Sequence, residues 1–258
     1  MTRAGFLPEL VLDFGLHKTM VEERYVRPGL FAWDDLAGGN HCLAPAFLRS
    51  SLAASLERLR LPSVDVFFLA SPATQLTIVS PLGLEQRLRR AFEALERCVD
   101  EGTIRHYGIA DVAGLDLARV VDLAKEVAGS SHHLRAIQHP LCLHEARAHL
   151  RPEHSLRSGS KGHVFEVARD LGLHAFATRA VADSAAEYEM DVEARRMLGA
   201  GVVTDSQIAL QWARSLPGVS TVLVGMRRSV HLEENCVVLG EPVASAEIAE
   251  AFLEGGEA

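Results

Sequence analysis

Short apolar runs alternate with amphipathic helices along most of this chain, and this alternation constrains the fold more than any other feature. The β-rich run Val64–Ala70, for example, follows a helical stretch, Ala44–Arg60, with Pro45 in its first turn and leucines three or four residues apart on one face. Strands that alternate with helices pair in parallel through right-handed crossovers, so the pattern predicts an α/β fold.

Six strand–helix units are predicted. The expected strands are Leu10–Asp13, Val64–Ala70, Thr103–Asp111, Ala136–Pro140, Leu173–Thr178 and Ser220–Gly225. The expected helices are Ala44–Arg60, Leu84–Glu101, Leu115–Ala128, His163–Leu171, Asp205–Leu216 and Ser229–Leu239. Residues 143–162 and 180–204 are interpreted as long loops. A closed (β/α)₈ barrel needs eight units, so we expect residues 1–258 to form a single domain with an incomplete TIM-type (β/α) barrel that lacks the first two βα units.

Composition narrows the functional classes. The net charge of −8 argues against a nucleic-acid partner, which requires clustered Lys and Arg. The four cysteines are scattered without a CxxC pair, so neither a zinc site nor a disulfide framework is expected. The first residues lack the apolar stretch of a secretory signal, and no run approaches 18 apolar residues. We therefore expect a cytoplasmic protein with no membrane partner.

Several local patterns resemble one family. The run HCLAPAFLRSSLAASLERLRL, followed by VDVFFLASPATQL, is similar to the third helix and fourth strand of the aldo/keto reductase superfamily. EGTIRHYGIAD and AIQHPL are similar to the next two strands, and LPGVSTVLVGMRRSVHLEEN to the terminal cofactor-binding strand and helix. These patterns occur in the order that the family has them, over the part of the chain from about Leu10 to Leu239.

The resemblance implies four catalytic residues, from which this chain departs. The family uses an Asp and a Tyr near the second strand, a Lys that ends the third and a His that ends the fourth; the Tyr gives a proton to the substrate carbonyl. Here the stretch for the Asp and Tyr is absent, Asp13 or Phe14 stands where the Lys is expected, and Ala70 stands where the His is expected. We therefore expect a chain without this tetrad, which does not perform the family's standard NADPH-dependent hydride transfer.

The resemblance also implies contacts to the nicotinamide end of NADP. Ala110-Asp111 and Gln138 match the residues that bind the nicotinamide amide, although an ionised carboxylate at Asp111 can only accept hydrogen bonds. Phe176 is the best match to the aromatic residue that stacks after strand seven.

The adenosine end of the implied site is better preserved. Glu234 and Asn235 match adenine contacts, and His231 takes the position of an Arg that binds the ribose phosphate. Arg227, Arg228 and Ser229 lie at the start of the same helix, where cations beside a helix N-terminus suit a phosphate. Two alternatives remain open: the chain keeps residual NADP binding, or it requires no cofactor. In the second case these residues would only cap and solubilise the helix.

Three residues are candidates for acid–base chemistry without a cofactor. Asp13, Asp111 and His139 are expected near the carboxyl ends of the strands, where barrel active sites lie. An alternative interpretation of Asp13 is a harmless replacement without a catalytic role. The alternative for His139 is a side chain that packs against a helix, because consecutive residues of a strand face opposite sides and His139 directly follows Gln138. The pair His132-His133 has no carboxylate at a recognised ligand spacing, so no metal site is expected.

Three functions follow as hypotheses. The first is a non-redox acid–base reaction, of the isomerase, dehydratase or cyclase type, on a small carbonyl-containing metabolite. The second is a non-catalytic, NADP-binding or scaffolding role. The third is an NADPH-dependent oxidoreductase that uses replacement residues. Because a six-unit sheet leaves strand edges with unpaired N–H and C=O groups, we also expect a homodimer that covers them.

Overall fold

A computed structural model describes residues 1–8, 14–146, 150–181, 196–199 and 201–249. The chain divides into two compact units, Met1–Ile137 (unit 1) and Gln138–Ala258 (unit 2). The boundary falls inside a strand, between Ile137 and Gln138. The single domain expected over residues 1–258 stays a prediction.

The described residues of unit 1 form four helices and the strands between them. The helices are α1 (Phe14–Val21), α2 (Pro45–Leu59), α3 (Pro81–Asp100) and α4 (Leu117–Ala128). The strands are β1 (Thr2–Ala4), β2 (Val64–Ala70), β3 (Ile104–Ala110) and β4 (Leu134–Pro140), the last of which crosses the boundary. Short helical turns occupy Glu22–Val26, Trp33–Asp35, Pro72–Thr77 and Gly129–Ser131.

The described residues of unit 2 contain shorter elements. The helices are α5 (Val164–Asp170), α6 (Asp205–Ser215) and α7 (Ser229–Cys236). The strands that follow β4 are β5 (His154–Ser155), β6 (Lys161–Gly162), β7 (His174–Thr178) and β8 (Thr221–Val222). Short helical turns occupy Leu143–Glu145 and Val237–Gly240.

Six parallel strands of the described residues form one sheet, in the order β1-β2-β3-β4-β7-β8. In unit 1, Thr2 lies opposite Phe67, and Val64 lies opposite Ile104. In unit 2, Phe176 lies opposite Thr221. The predicted α/β fold with parallel pairing is confirmed, and six of the eight strands of a (β/α)₈ barrel are among the described residues.

The first strand is not where the sequence interpretation put it. The strand that pairs with β2 is Thr2–Ala4, whereas the prediction was Leu10–Asp13, of which nothing is described. A three-residue strand is too short for a periodic pattern, and its pairing depends on backbone hydrogen bonds to a distant strand. The loop expected at 143–162 also contains a small antiparallel hairpin, in which His154–Ser155 pairs with Lys161–Gly162.

Local chemistry explains why the helices begin where they do. Pro45 and Pro81 occupy the first positions of α2 and α3, where a missing N–H costs nothing. Asp116 caps α4, since its carboxylate accepts hydrogen bonds from the N–H groups of Ala118 and Arg119. In unit 2, Thr204 and Gln207 form a reciprocal capping box at the start of α6.

The core of unit 1 covers its central strands on both faces. Phe67, Phe68, Leu69 and Ala70, which end β2, are all buried, as expected for a strand covered on both sides. In the neighbouring strand, a Cβ at Gly108 would lie 2.5 Å from the Ala136 carbonyl and 2.6 Å from the ring of Phe68. Only glycine therefore allows this close approach in β3.

The core of unit 2 centres on α5 and α6. Trp212 of α6 is fully buried, and its indole N–H donates to the carbonyl of Ala249 at 2.9 Å. Gly218 has φ +87°, and a Cβ there would lie 2.2 Å from the carbonyl oxygen of Phe165. The turn after α6 therefore packs directly on the backbone of α5.

The outermost strands of the sheet are its shortest. β1 has three residues and β8 has two, and short edge strands limit unwanted pairing with other chains. The expected homodimer stays a prediction. Among the helices that the structure describes, none combines the length and apolar character needed to cross a membrane.

Candidate functional site

A cleft of about 690 Å³ opens in unit 2 beyond the carboxyl ends of β7 and β8. One wall follows β7 and the other follows β8; Ser206 of α6 and side chains of α7 complete the lining. The lining residues are Arg179, Ala180, Val181, Ser206, Leu223, Val224, Gly225, Arg227, His231 and Asn235. In parallel α/β sheets, ligands bind at this end of the strands.

The cleft is cationic. Arg179 and Arg227 line it and are exposed, and no carboxylate of the described residues lies within 4 Å of either guanidinium. Arg179 also has the left-handed backbone conformation, φ +60°, which non-glycine residues adopt at a cost. Two uncompensated guanidinium groups in a concave surface favour an anionic ligand, since Arg matches the geometry of phosphate and carboxylate oxygens.

An unpaired amide lies at the same cleft. The side-chain oxygen of Asn235 is buried and accepts no hydrogen bond within the described part of the chain. Such a group is costly to bury unless something donates to it. The neighbouring polar pair, His231 and Glu234, lies with the imidazole Nδ1 3.7 Å from a carboxylate oxygen. The cleft therefore combines anion-binding groups with an acceptor that needs a donor.

The structure brings together only part of the predicted cofactor residues. Arg227 and Asn235 line the cleft, as does His231. Arg228 is the N-cap of α7, Ser229 is its first residue, and Glu234 accepts a hydrogen bond from Gln207 at its backbone carbonyl; these three are not lining residues. Arg227 thus lies just before the N-cap of α7, and within the helix His231 and Asn235 line the cleft while Glu234 does not.

The residues predicted to bind the nicotinamide end lie in strands. Gln138 is half-buried in β4. Phe176 lies inside β7 rather than after it, and its ring centroid is 4.6 Å from that of His174. Neither residue lines the cleft. Phe176 therefore lies within the strand predicted at Leu173–Thr178, and its role as the stacking aromatic residue stays a prediction.

The acid–base candidates separate into three situations. Asp13 lies outside the described residues. His139 is buried, and its ring lies 6.1 Å from that of Phe165 in α5, edge to face, so it packs against a helix as the alternative interpretation expected. Asp111 directly follows β3 in unit 1 and is the one candidate at a strand end whose surroundings are defined.

Asp111 belongs to a strained pair at the carboxyl ends of β2 and β3. Ser71 and Asp111 both have left-handed backbone conformations, φ +44° and +60°. The hydroxyl of Ser71 donates to a carboxylate oxygen of Asp111 at 3.1 Å, and the N–H of Ser71 donates to the carbonyl of Ala110 at 2.6 Å. Strain of this kind persists where the surrounding structure fixes it, often beside functional sites.

Arg3 is a cation in the first strand that the sequence interpretation did not consider. The resemblance expects a Lys in the strand beside the one that ends at Ala70, and that strand is β1, which contains Arg3. Its side chain is exposed, and its backbone lies opposite Phe68. The prediction looked for this position at Asp13 because the strand was placed about eight residues too late. Arg3 is the middle residue of β1, whose last residue is Ala4, so it does not occupy the strand end at which the family has its Lys.

Comparisons with solved structures identify the fold. An aldo-keto reductase of Bacillus halodurans in its holo form is 19% identical, with a TM-score of 0.54 over 82% of this chain and 67% of that one. The glycerol dehydrogenase of Gluconobacter oxydans is 16% identical, with a TM-score of 0.58 over 83% and 64%. An aldo-keto reductase of Klebsiella pneumoniae in complex with NADPH is 20% identical, with a TM-score of 0.54 over 80% and 63%. The chain thus spans about two thirds of the length of these structures.

Sequence comparison leads to the same family. No curated protein matches the chain by sequence. The family model described as the aldo/keto reductase family matches residues 32–251, which is most of the chain and includes the cleft and both of its walls. On this match, and with the fold of its structural neighbours, the chain belongs to the aldo/keto reductase family.

Proposed function

We propose that this chain binds an NADP-type dinucleotide by its phosphate and adenine groups in the cleft of unit 2. The observation that carries the proposal is the coincidence, in one cleft, of two guanidinium groups that have no carboxylate partner, and a buried amide oxygen that has no donor, among the described residues. The family match and a neighbour in complex with NADPH support the same ligand class.

The donor set of the cleft fits such a dinucleotide. Arg179 and Arg227 offer charged donors to phosphate oxygens, and the N-terminus of α7 adds the positive end of a helix dipole beside Arg227. The amide oxygen of Asn235 accepts hydrogen bonds only, so an exocyclic amino group such as that of adenine satisfies it. When bound, an NADP-type dinucleotide supplies or accepts a hydride.

Binding and turnover are separate parts of the function. The cleft supports binding, which both the NADP-binding form of the second hypothesis and the oxidoreductase hypothesis require. The non-redox reaction of a small carbonyl compound stays a prediction, because Asp13 is outside the described residues and His139 packs against Phe165. The oxidoreductase hypothesis stays a prediction as well.

Calorimetric titration with NADPH tests the binding proposal. We expect Arg227→Ala to weaken NADPH binding by about tenfold or more, because a charge-assisted bond to phosphate contributes about 1.5–3 kcal/mol. Arg157→Ala is the matched control: it removes one exposed Arg from the β5–β6 hairpin, outside the cleft, and should leave the affinity unchanged.

Two results would overturn the proposal. One is no heat of binding at millimolar NADPH with a folded protein. The other is equal weakening by Arg227→Ala and Arg157→Ala, which would mean a nonspecific effect of charge. Loss of NADPH absorbance with a panel of small aldehydes and ketones then decides separately whether bound dinucleotide is consumed.

A further inference from the structure

A fully buried imidazole, His41, lies beside the carboxyl end of β2 in unit 1. Its Nε2 lies 2.8 Å from the carbonyl oxygen of Ala70, the last residue of β2. Its Nδ1 lies 2.8 Å from the amide nitrogen of Gln75, which is also fully buried. Because a carbonyl can only accept, Nε2 must carry the proton that it donates to Ala70.

Arg87 of α3 fixes which way the Gln75 amide faces. A guanidinium has donors and no acceptor, so the Gln75 oxygen must face Arg87, with which it is hydrogen-bonded. The Gln75 NH₂ group then faces His41, donating to Nδ1 and, at 3.0 Å, to the His41 carbonyl. Nδ1 is therefore held as an acceptor, and His41 as the neutral Nε2–H tautomer.

His41 belongs to a loop that docks on two strand ends. This loop, residues 37–42, contains an isolated bridge between Ala37 and His41, and His41 also bridges to Phe6, two residues after β1. The N–H of Cys42 donates to the carbonyl of Gly5 at 2.7 Å. Loop 37–42 is thereby tied to the end of β2 by the imidazole and to the residues after β1 by its backbone.

The groups around His41 oppose a second proton. On α3, Arg87 supplies a positive charge, with the Asp35 carboxylate 3.7 Å from its far side. The 72–77 turn contributes the Gln75 amide, β2 contributes the Ala70 carbonyl, and the segment after β1 contributes the ring of Phe6, 4.8 Å away. Next in the chain is Cys42, whose pKa burial raises to about 12, so its thiol stays neutral. Burial lowers the pKa of His41, against a rise from the Ala70 carbonyl, and the charge of Arg87 lowers it further.

We propose that His41 is a proton-operated latch, and that protonation of its Nδ1 releases loop 37–42 from the ends of β1 and β2. A proton on Nδ1 would set a donor against the Gln75 NH₂ group. Rotation of the amide would relieve that conflict only by turning NH₂ toward Arg87, which has no acceptor. Either arrangement leaves buried donors unpaired, so the protonated state favours a loop that has left the strand ends.

The direction of the pH effect follows from linkage. The docked state holds fewer protons than the released state, because its His41 pKa is lowered. Docking of loop 37–42 is therefore complete above the ordinary histidine pKa of about 6.5. It weakens as the pH falls through that pKa toward the lowered pKa of His41 in the docked state.

Hydrogen–deuterium exchange of the intact protein measures this release. We expect exchange of amides in residues 37–42, corrected for intrinsic rates, to rise about tenfold between about pH 7.5 and about pH 5.5, following a group with a free value near 6.5. Amides of α4 should not change in parallel.

The variant Gln75→Glu offers an acceptor to both His41 and Arg87, so it should keep the loop docked at both pH values. His106→Gln, at another histidine of unit 1 whose pKa burial lowers, should leave the pH response of the loop intact.

A second measurement needs no variant. Nitrogen chemical shifts of the imidazoles in the wild-type protein report the tautomer directly, and one histidine should show a protonated Nε2 with an unprotonated Nδ1 at neutral pH. A His41 that carries its proton on Nδ1, a loop whose exchange ignores pH, or a pH response that survives Gln75→Glu would each overturn the latch.

Discussion

The carboxyl ends of β2 and β3 in unit 1 and the cleft beyond β7 and β8 in unit 2 use their polar side chains in opposite ways. In unit 1, His41, Gln75 and Arg87 satisfy one another, and Ser71 pairs with Asp111. In unit 2, Arg179 and Arg227 have no carboxylate partner among the described residues, and the Asn235 oxygen has no donor. Polar groups at equivalent ends of strands thus serve internal structure in one unit and remain available to a ligand in the other.

This difference has an energetic meaning. A buried polar group whose partner is removed costs about 1–3 kcal/mol, whereas a group that has no partner in the folded chain loses little when it is deleted. Substitutions in the unit 1 network should therefore act on the free energy of unfolding. Substitutions in the unit 2 cleft should act on ligand affinity and leave the free energy of unfolding nearly unchanged.

The largest expected effect is at Gln75. We expect Gln75→Leu to lower the free energy of unfolding by about 3 kcal/mol, because it leaves the buried Nδ1 of His41 without a donor and takes one hydrogen-bond acceptor from Arg87. Urea unfolding at neutral pH measures the change. Gln86→Leu, at an exposed position of α3, makes the same chemical replacement and should change stability by less than about 0.5 kcal/mol. A loss of similar size in both variants would remove the special role of the buried network.

A smaller effect is expected at the strained pair. Ser71→Ala should lower the free energy of unfolding by about 1 kcal/mol, since it removes one hydrogen bond to a carboxylate that remains half-exposed. The same substitution in an Asp111→Ala background should cost much less, because the acceptor is already gone. Equal costs in the two backgrounds would show that the hydrogen bond contributes nothing and that the two residues are independent.

How much of this could be predicted from the sequence depends on how far apart the interacting residues are. The long helices, the central strands and Arg227 with Asn235 come from local periodicity and from a contiguous terminal motif. The Gln75–His41 hydrogen bond joins positions 34 apart, and Gln75 and Arg87 are 12 apart on two different elements. No local pattern reports such pairings, and β1, three residues long, has no periodicity to detect. Arg179 directly follows the strand predicted at Leu173–Thr178, so the sequence already places it at the carboxyl end of β7, whereas its left-handed backbone conformation has no sequence signature.

The smallest effect on stability, and the sharpest test of the comparison, is at Asn235. Its side-chain oxygen is unsatisfied in the described chain, so Asn235→Ala should change the free energy of unfolding of the ligand-free protein by less than about 0.5 kcal/mol. Gln211 in the same unit is the contrast: its side-chain oxygen also has no donor among the described residues, but its NH₂ group donates to the carbonyls of Leu198 and Pro242 at 2.7 Å each. Gln211→Ala should lower the free energy of unfolding by about 2–3 kcal/mol.

Adding NADPH should then raise the unfolding midpoint of the wild-type protein more than that of Asn235→Ala, since a ligand stabilises in proportion to the logarithm of its concentration over Kd. If Asn235→Ala instead destabilised the ligand-free protein as much as Gln211→Ala, the amide would be structural, and the cleft would lose the acceptor that distinguishes it from the strand ends of unit 1.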